Sequence, residues 1–152
     1  MKPHSLRKGL LGFRWRGVDV RPYKADGAEA FRDVTRQALF DDAAYSSQLR
    51  YFEIGANGWS TLERHHHSHA VMILRGSGRC LVGDEVFDVA VHDLVTVPPL
   101  TWHQFRAGPD EPLGFLCMVN AKRDRPQLPA ADELRQLREL PGVADFLELP
   151  TR

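Results

Sequence analysis

The chain has 152 residues, enough for one ordinary domain with a core of its own. Apolar residues make up 43 % and charged ones 26 %, a globular rather than a disordered composition. Lys plus Arg and Asp plus Glu both number 20, which excludes a net basic field for nucleic acid, and no apolar run is long enough to span a membrane.

The first thirty residues mix basic, aromatic and Gly/Pro positions without a clear period. The opening eleven lack the apolar stretch and cleavage site of a secretory signal, so a cytoplasmic location is expected. Residues 28–40 suit two conformations. Phe31, Val34, Ala38 and Leu39 would share a helix face, while 34–40 fits an extended segment equally well. From residue 49 to 120 the text changes to short β segments with turn punctuation. Strands are expected at 50–54, ended by Gly55-Ala56-Asn57-Gly58, then at 61–65 and 70–74, with Gly76-Ser77-Gly78 as a turn. That G-x-G fragment leads into a strand, not a helix, so it is no phosphate cradle. Residues 79–82 and 85–89 flank Gly83-Asp84, a two-residue hairpin signal. Further strands are expected at 94–97, 103–106 and 114–119.

Many short strands at near-regular spacing predict an all-β antiparallel barrel or sandwich. Residues 1–48 would be an extension packed on the barrel and 49–120 its core. Residues 121–152 would hold a connector and a short C-terminal helix over 130–140, with Asp132 and Glu133 in its first turn and a Leu134, Leu137, Leu140 stripe packing on the barrel or a partner. One further helical turn fits 143–147, after Pro141-Gly142, and the whole reads as one domain. Cys80 and Cys117 lie in apolar runs and read as buried free thiols.

Four of the seven histidines fall in Glu63-Arg64-His65-His66-His67-Ser68-His69. Imidazole is the commonest side chain offered to transition metals. A straight strand over this segment would hold its ends roughly 20 Å apart at ~3.3 Å per residue, too far for one ion. A turn at His66-His67-Ser68 removes the difficulty. It leaves Glu63 and His65 on one face, brings His69 back across from His65 and sets His67 at the tip. His103 follows Pro98-Pro99 at a strand start, and alone it reads equally as a hydrogen-bonded core or surface histidine.

These residues resemble the cupin family, whose motifs are G-x5-H-x-H-x3/4-E-x6-G and G-x5-P-x-G-x2-H-x3-N. Laid on without gaps, the first motif runs from Asn57 to Gly76. Glu63 and His65 take its histidine positions and His69 its glutamate. The second motif runs from His92 to Ala107, with Pro98 and His103 at its proline and histidine. Asn57, His92 and Leu100 replace motif glycines, and Ala107 replaces the asparagine. The resemblance covers about residues 50–119. It implies a cupin barrel, a double-stranded β-helix or jelly roll, with Glu63, His65, His69 and His103 holding one divalent transition metal. His67 is the alternative to Glu63 in a second register.

Iron or manganese is the favoured metal, with zinc, nickel or copper also compatible. By strand parity Trp59, Thr61, Val71, Ile73 and Phe105 point into the barrel, and Trp59 and Phe105 are the expected substrate contacts; Gln104 and Arg106 point out. The first functional expectation is a metal-dependent enzyme, dioxygenase-like, acting on a small organic molecule with Glu63 as catalytic carboxylate. A non-catalytic metal or ligand sensor is the alternative, and a metal-free sugar isomerase or epimerase fits less well. A homodimer without nucleic-acid or membrane partners is expected, since an open sheet edge needs cover.

Overall fold

The computed structural model describes residues 6–23 and 30–148. The start of the 28–40 segment and the outermost parts of both flanks lie outside the described residues. Among the described residues, eleven strands and two helices follow in chain order. The strands are β1 (Gly9–Leu10), β2 (Arg14–Trp15), β3 (Arg21–Pro22), β4 (Arg32–Asp41), β5 (Ser47–Trp59), β6 (His69–Arg75), β7 (Gly78–Val82), β8 (Glu85–Val89), β9 (Leu94–Val97), β10 (His103–Ala107) and β11 (Leu113–Asn120); the helices are α1 (Ala131–Glu139) and α2 (Val143–Leu147). All pairings are antiparallel. The main sheet curls in the order β8-β7-β10-β5-β11-β6-β9, with β4 on β5 and β3 on β4. No helix among the described residues is long and apolar enough to cross a membrane.

Within the described part of the ambiguous 28–40 segment, the chain from Arg32 onward is strand β4. Paired along β5, it buries Val34 in the barrel core and Gln37 on the opposite face, where its Nε2 donates to the Phe13 carbonyl at 2.9 Å; long-range pairing decides where local pattern did not. β5 also runs straight through the Gly-rich stretch expected to end it. A Cβ at Gly58 would lie 2.5 Å from the Arg32 carbonyl oxygen, so this glycine admits a close neighbouring strand. The expected strand at 61–65 is only a pair of bridges, Glu63 with His103 and Arg64 with Gln127.

Inward side chains of β5, β6, β9, β10 and β11 fill one core. Phe115 stacks on Phe52 at 5.7 Å and on Phe105 at 4.9 Å between ring centroids. A second cluster lies outside the sheet, where Leu137, Val143, Phe146 and Leu147 cover Leu62 and Leu81. Each such side chain taken from water contributes about 1.5–3 kcal/mol. The leucine stripe therefore packs on the barrel.

The three residues that stand in place of motif glycines share one property. Asn57, His92 and Leu100 have φ of 61°, 78° and 54°. The backbone keeps the left-handed turn although the glycine is gone, which costs a side chain with a Cβ about 1–2 kcal/mol. Asparagine bears this best. His92→Gly and Leu100→Gly should therefore each raise the thermal midpoint by about 2–4 °C, and Asn57→Gly should leave it nearly unchanged. Thermal melts of the three variants beside the parent check this, and a fall in midpoint for both His92→Gly and Leu100→Gly would refute it.

Candidate metal centre

The segment between β5 and β6 alternates as a two-residue period requires. Glu63 and His65 are buried; His66 is exposed. Arg64 turns outward, lying 4.3 Å over the Trp102 ring and pairing with Glu133 of α1 at 2.9 Å. The chain bends at residues 66–67, so His69 returns beside His65 at the start of β6. On the other side Glu63 and His103 exchange both backbone hydrogen bonds, 3.2 and 3.1 Å, which brings the first histidine of β10 to the same place.

One ligand atom from each of His65, His69 and His103 lies within 4.8 Å of the other two. Donors on opposite sides of an ion with bonds of about 2.1 Å stand up to roughly 4.2 Å apart, so a small contraction closes the set. Each Nδ1 is engaged elsewhere. His65 Nδ1 donates to the His67 carbonyl at 2.7 Å, His103 Nδ1 donates to the Thr101 carbonyl at 2.9 Å, and His69 Nδ1 meets Cys117 Sγ at 3.5 Å. The two carbonyl contacts fix the tautomers of His65 and His103 that leave Nε2 with its lone pair. The Nε2 atoms of His65 and His69 are buried without a hydrogen-bond partner. Buried polar nitrogens left unpaired are costly, and a divalent cation satisfies both.

The electrostatics agree. Burial, then the neighbouring His103 and His67, lower His65 to about 4. Burial first, and then the other histidines, lower His69 to about 2, while burial also lowers His103. All three are neutral near pH 7, the form that binds metal.

Glu63 and His67 lie beside this trio but outside the cluster of ligand atoms. Glu63 is buried and lines the same cavity. His67 does not project as the tip of the turn. Its ring folds inward, stacked 3.7 Å from His65, and its Nδ1 bonds Asp124 at 2.8 Å. Asp124 also accepts the His66 amide at 2.8 Å. This carboxylate holds the bend and is itself kept well below its usual range, chiefly by that amide bond.

Of the two expected substrate contacts, Phe105 lines the inner pocket with Thr61, Val71, Phe115 and Cys117. Trp59 is a correction. It pairs with Arg106 in register, whereas Glu63 pairs with His103, so one extra residue intervenes on the chain before Glu63. Ser60 marks the slip, its amide donating to the Phe105 carbonyl and its Oγ accepting from the Phe105 amide, both at 2.9 Å. A one-residue bulge flips parity, and Trp59 lands under Arg106 on the other face. Gln104 also faces out, yet it is buried and donates to the Ser60 carbonyl at 2.8 Å.

Strand order, curled sheet and a histidine trio at its mouth define a cupin, and this chain belongs to the cupin family. The family model for the cupin domain matches residues 50–119. A relative from Rhodospirillum rubrum, 1-methylthio-D-xylulose 5-phosphate methylsulfurylase, is 57 % identical over 136 residues, spanning 90 % of this chain and 87 % of that protein. Among solved structures, a cupin 2 conserved barrel domain protein from Rhodopseudomonas palustris is 57 % identical with a TM-score of 0.89, covering 93 % of this chain and 98 % of that one. A cupin-2 domain protein from Rhodospirillum rubrum is 53 % identical with a TM-score of 0.86, covering 96 % and 98 %.

Proposed function

We propose that this chain is a metal-dependent enzyme that breaks the carbon–sulfur bond of a 1-methylthio ketose phosphate. The observation that carries this reading is the position of Cys117. Its thiol sits at a wall of the inner pocket, 3.5 Å from His69 Nδ1, where a methylthio group and the metal centre would meet. The relative named as a methylsulfurylase aligns over 90 % of the chain, which supports the same substrate class here.

His65, His69 and His103 would hold the ion, iron or manganese by preference. A divalent ion there supplies Lewis acidity toward a substrate carbonyl oxygen. The chain's own groups do the rest. Glu63, outside the ligand trio but in the same cavity, takes the Cys117 proton. The sulfur then attacks the methylthio sulfur. A sulfur–sulfur bond forms, the C1–S bond breaks, and its electron pair passes toward the C2 carbonyl. Glu63 returns the proton to C1, which leaves a 1-deoxy ketose phosphate and a methyl disulfide on Cys117. A second thiol compound frees the cysteine.

The dioxygenase expectation rests on the donor set alone, and three imidazoles with a carboxylate serve Lewis-acid chemistry equally well. The test is incubation of manganese- or iron-loaded protein with 1-methylthio-D-xylulose 5-phosphate and a small thiol. Loss of the methylthio sugar with formation of a mixed methyl disulfide is expected. Intact sugar after prolonged incubation would overturn the proposal.

A further inference from the structure

The outer part of the cavity, about 380 Å³, has an uneven charge. Arg36, Arg50, Arg123 and Arg125 line it together with the histidines, against two carboxylates, Glu63 and Asp124. Asp124 is already engaged by His67. The chain as a whole has no net charge, so this excess is local. Among the described residues no carboxylate forms an ion pair with any of the four arginines.

Arg50 is the telling member. It occupies a core position of β5, two residues before Phe52 on the inward face, and is 7 % exposed. Its Nε is buried without a hydrogen-bond partner. A buried guanidinium without an anion is costly, and structures keep one where a ligand supplies the anion. Arg50 stands opposite Ala38 in register, and Arg36 lies two residues from Ala38 on the same face of β4. Arg123 reaches in from the connector, fixed by one nitrogen that donates to Gln48 Oε1 at 2.7 Å and the Asn120 carbonyl at 2.9 Å. Burial, and then the guanidiniums of Arg50 and Arg36, lower Arg123 from its ordinary value. Among the described residues, these like charges are gathered with no carboxylate in an ion pair with them.

We infer that Arg36, Arg50 and Arg123 form an anion subsite that takes the phosphate of a sugar phosphate and so orients the sugar toward the histidine trio. Planar guanidinium forks match phosphate oxygens, and several together select a dianion over a neutral sugar. This assignment rests on the proposed substrate class, but its test involves no carbon–sulfur bond.

Titration calorimetry of the metal-loaded protein would use D-xylulose 5-phosphate, D-xylulose and inorganic phosphate as separate probes. The parent should bind the sugar phosphate at least tenfold more tightly than the free sugar, and inorganic phosphate should compete with it. Arg36→Gln and Arg123→Gln should each weaken the sugar phosphate about tenfold or more and leave D-xylulose unchanged. Arg21→Gln, which removes an exposed arginine paired with Asp19, should behave as the parent. Because Arg50 is buried, Arg50→Lys serves as its variant, and it too should lose affinity for the phosphate. Equal binding of phosphorylated and free sugar, or unchanged affinity in both Arg36→Gln and Arg123→Gln, would overturn the subsite. Phosphate selectivity without carbon–sulfur cleavage would uphold the subsite and remove the proposed reaction.

Discussion

His69→Ala should leave purification with its bound metal lowered at least tenfold, and so should His65→Ala and His103→Ala. Each change removes one of three imidazole donors that stand within 4.8 Å of one another. Loss even of a group that only orients a ligand costs about 10–100-fold in affinity, so loss of a donor should cost more. The control is His66→Ala, whose exposed side chain lies on the other side of the bend and should keep the parent's metal content. His67→Ala should have an intermediate effect, because the His67–Asp124 pair steadies the bend while its ring stays outside the donor cluster. Added metal at a hundred times its dissociation constant should stabilise the parent by about 2.7 kcal/mol, and the three ligand variants far less. Elemental analysis and melts with and without metal read both effects. Equal metal content in the His65, His66, His69 and His103 variants would dismantle the site.

Where the site could be read from the sequence, local geometry was enough. Two-residue alternation and one required bend place Glu63, His65 and His69 together, and nothing outside 63–69 is needed for that step. The barrel strands after residue 69 are legible for the same reason, since hairpin turns such as Gly83-Asp84 set their ends. What escaped depends on distant pairing. The bulge at Ser60 exists because β5 and β10 meet one residue out of step, and parity counted along one strand therefore misplaces Trp59. Asp124 belongs to a connector whose bridge between Gln127 and Arg64 lays it along the histidine loop, and charge-rich text carries no sign of that. Arg50 did leave a signal. In Arg50-Tyr51-Phe52-Glu53-Ile54 it shares parity with Phe52 and Ile54, so the expected strand already put a cation on the core face.

Cys117→Ser should lower carbon–sulfur cleavage at least about a thousandfold while leaving the metal in place. The thiol is chosen by position. Cys117 lines the inner pocket beside His69, whereas Cys80, although also buried, lies outside the cavity lining and meets the Leu81 carbonyl at 3.7 Å. Burial raises both thiols above their ordinary range, so Cys117 rests protonated and needs a base at the moment of attack. Serine is nearly isosteric but far harder to ionise, and an oxygen–sulfur bond offers no stable equivalent of the disulfide. Cys80→Ser should therefore retain activity. Glu63→Gln should keep the metal and lose turnover, since its carboxylate is assigned the proton and not a ligand position. The decisive readout is a single turnover without any second thiol. The parent should then release one equivalent of desulfurated sugar phosphate per chain and carry one methylthio group on the peptide containing Cys117, visible by mass and removed by reductant. Steady turnover by Cys117→Ser, or a methylthio group found on Cys80, would show that the sulfur leaves by another route.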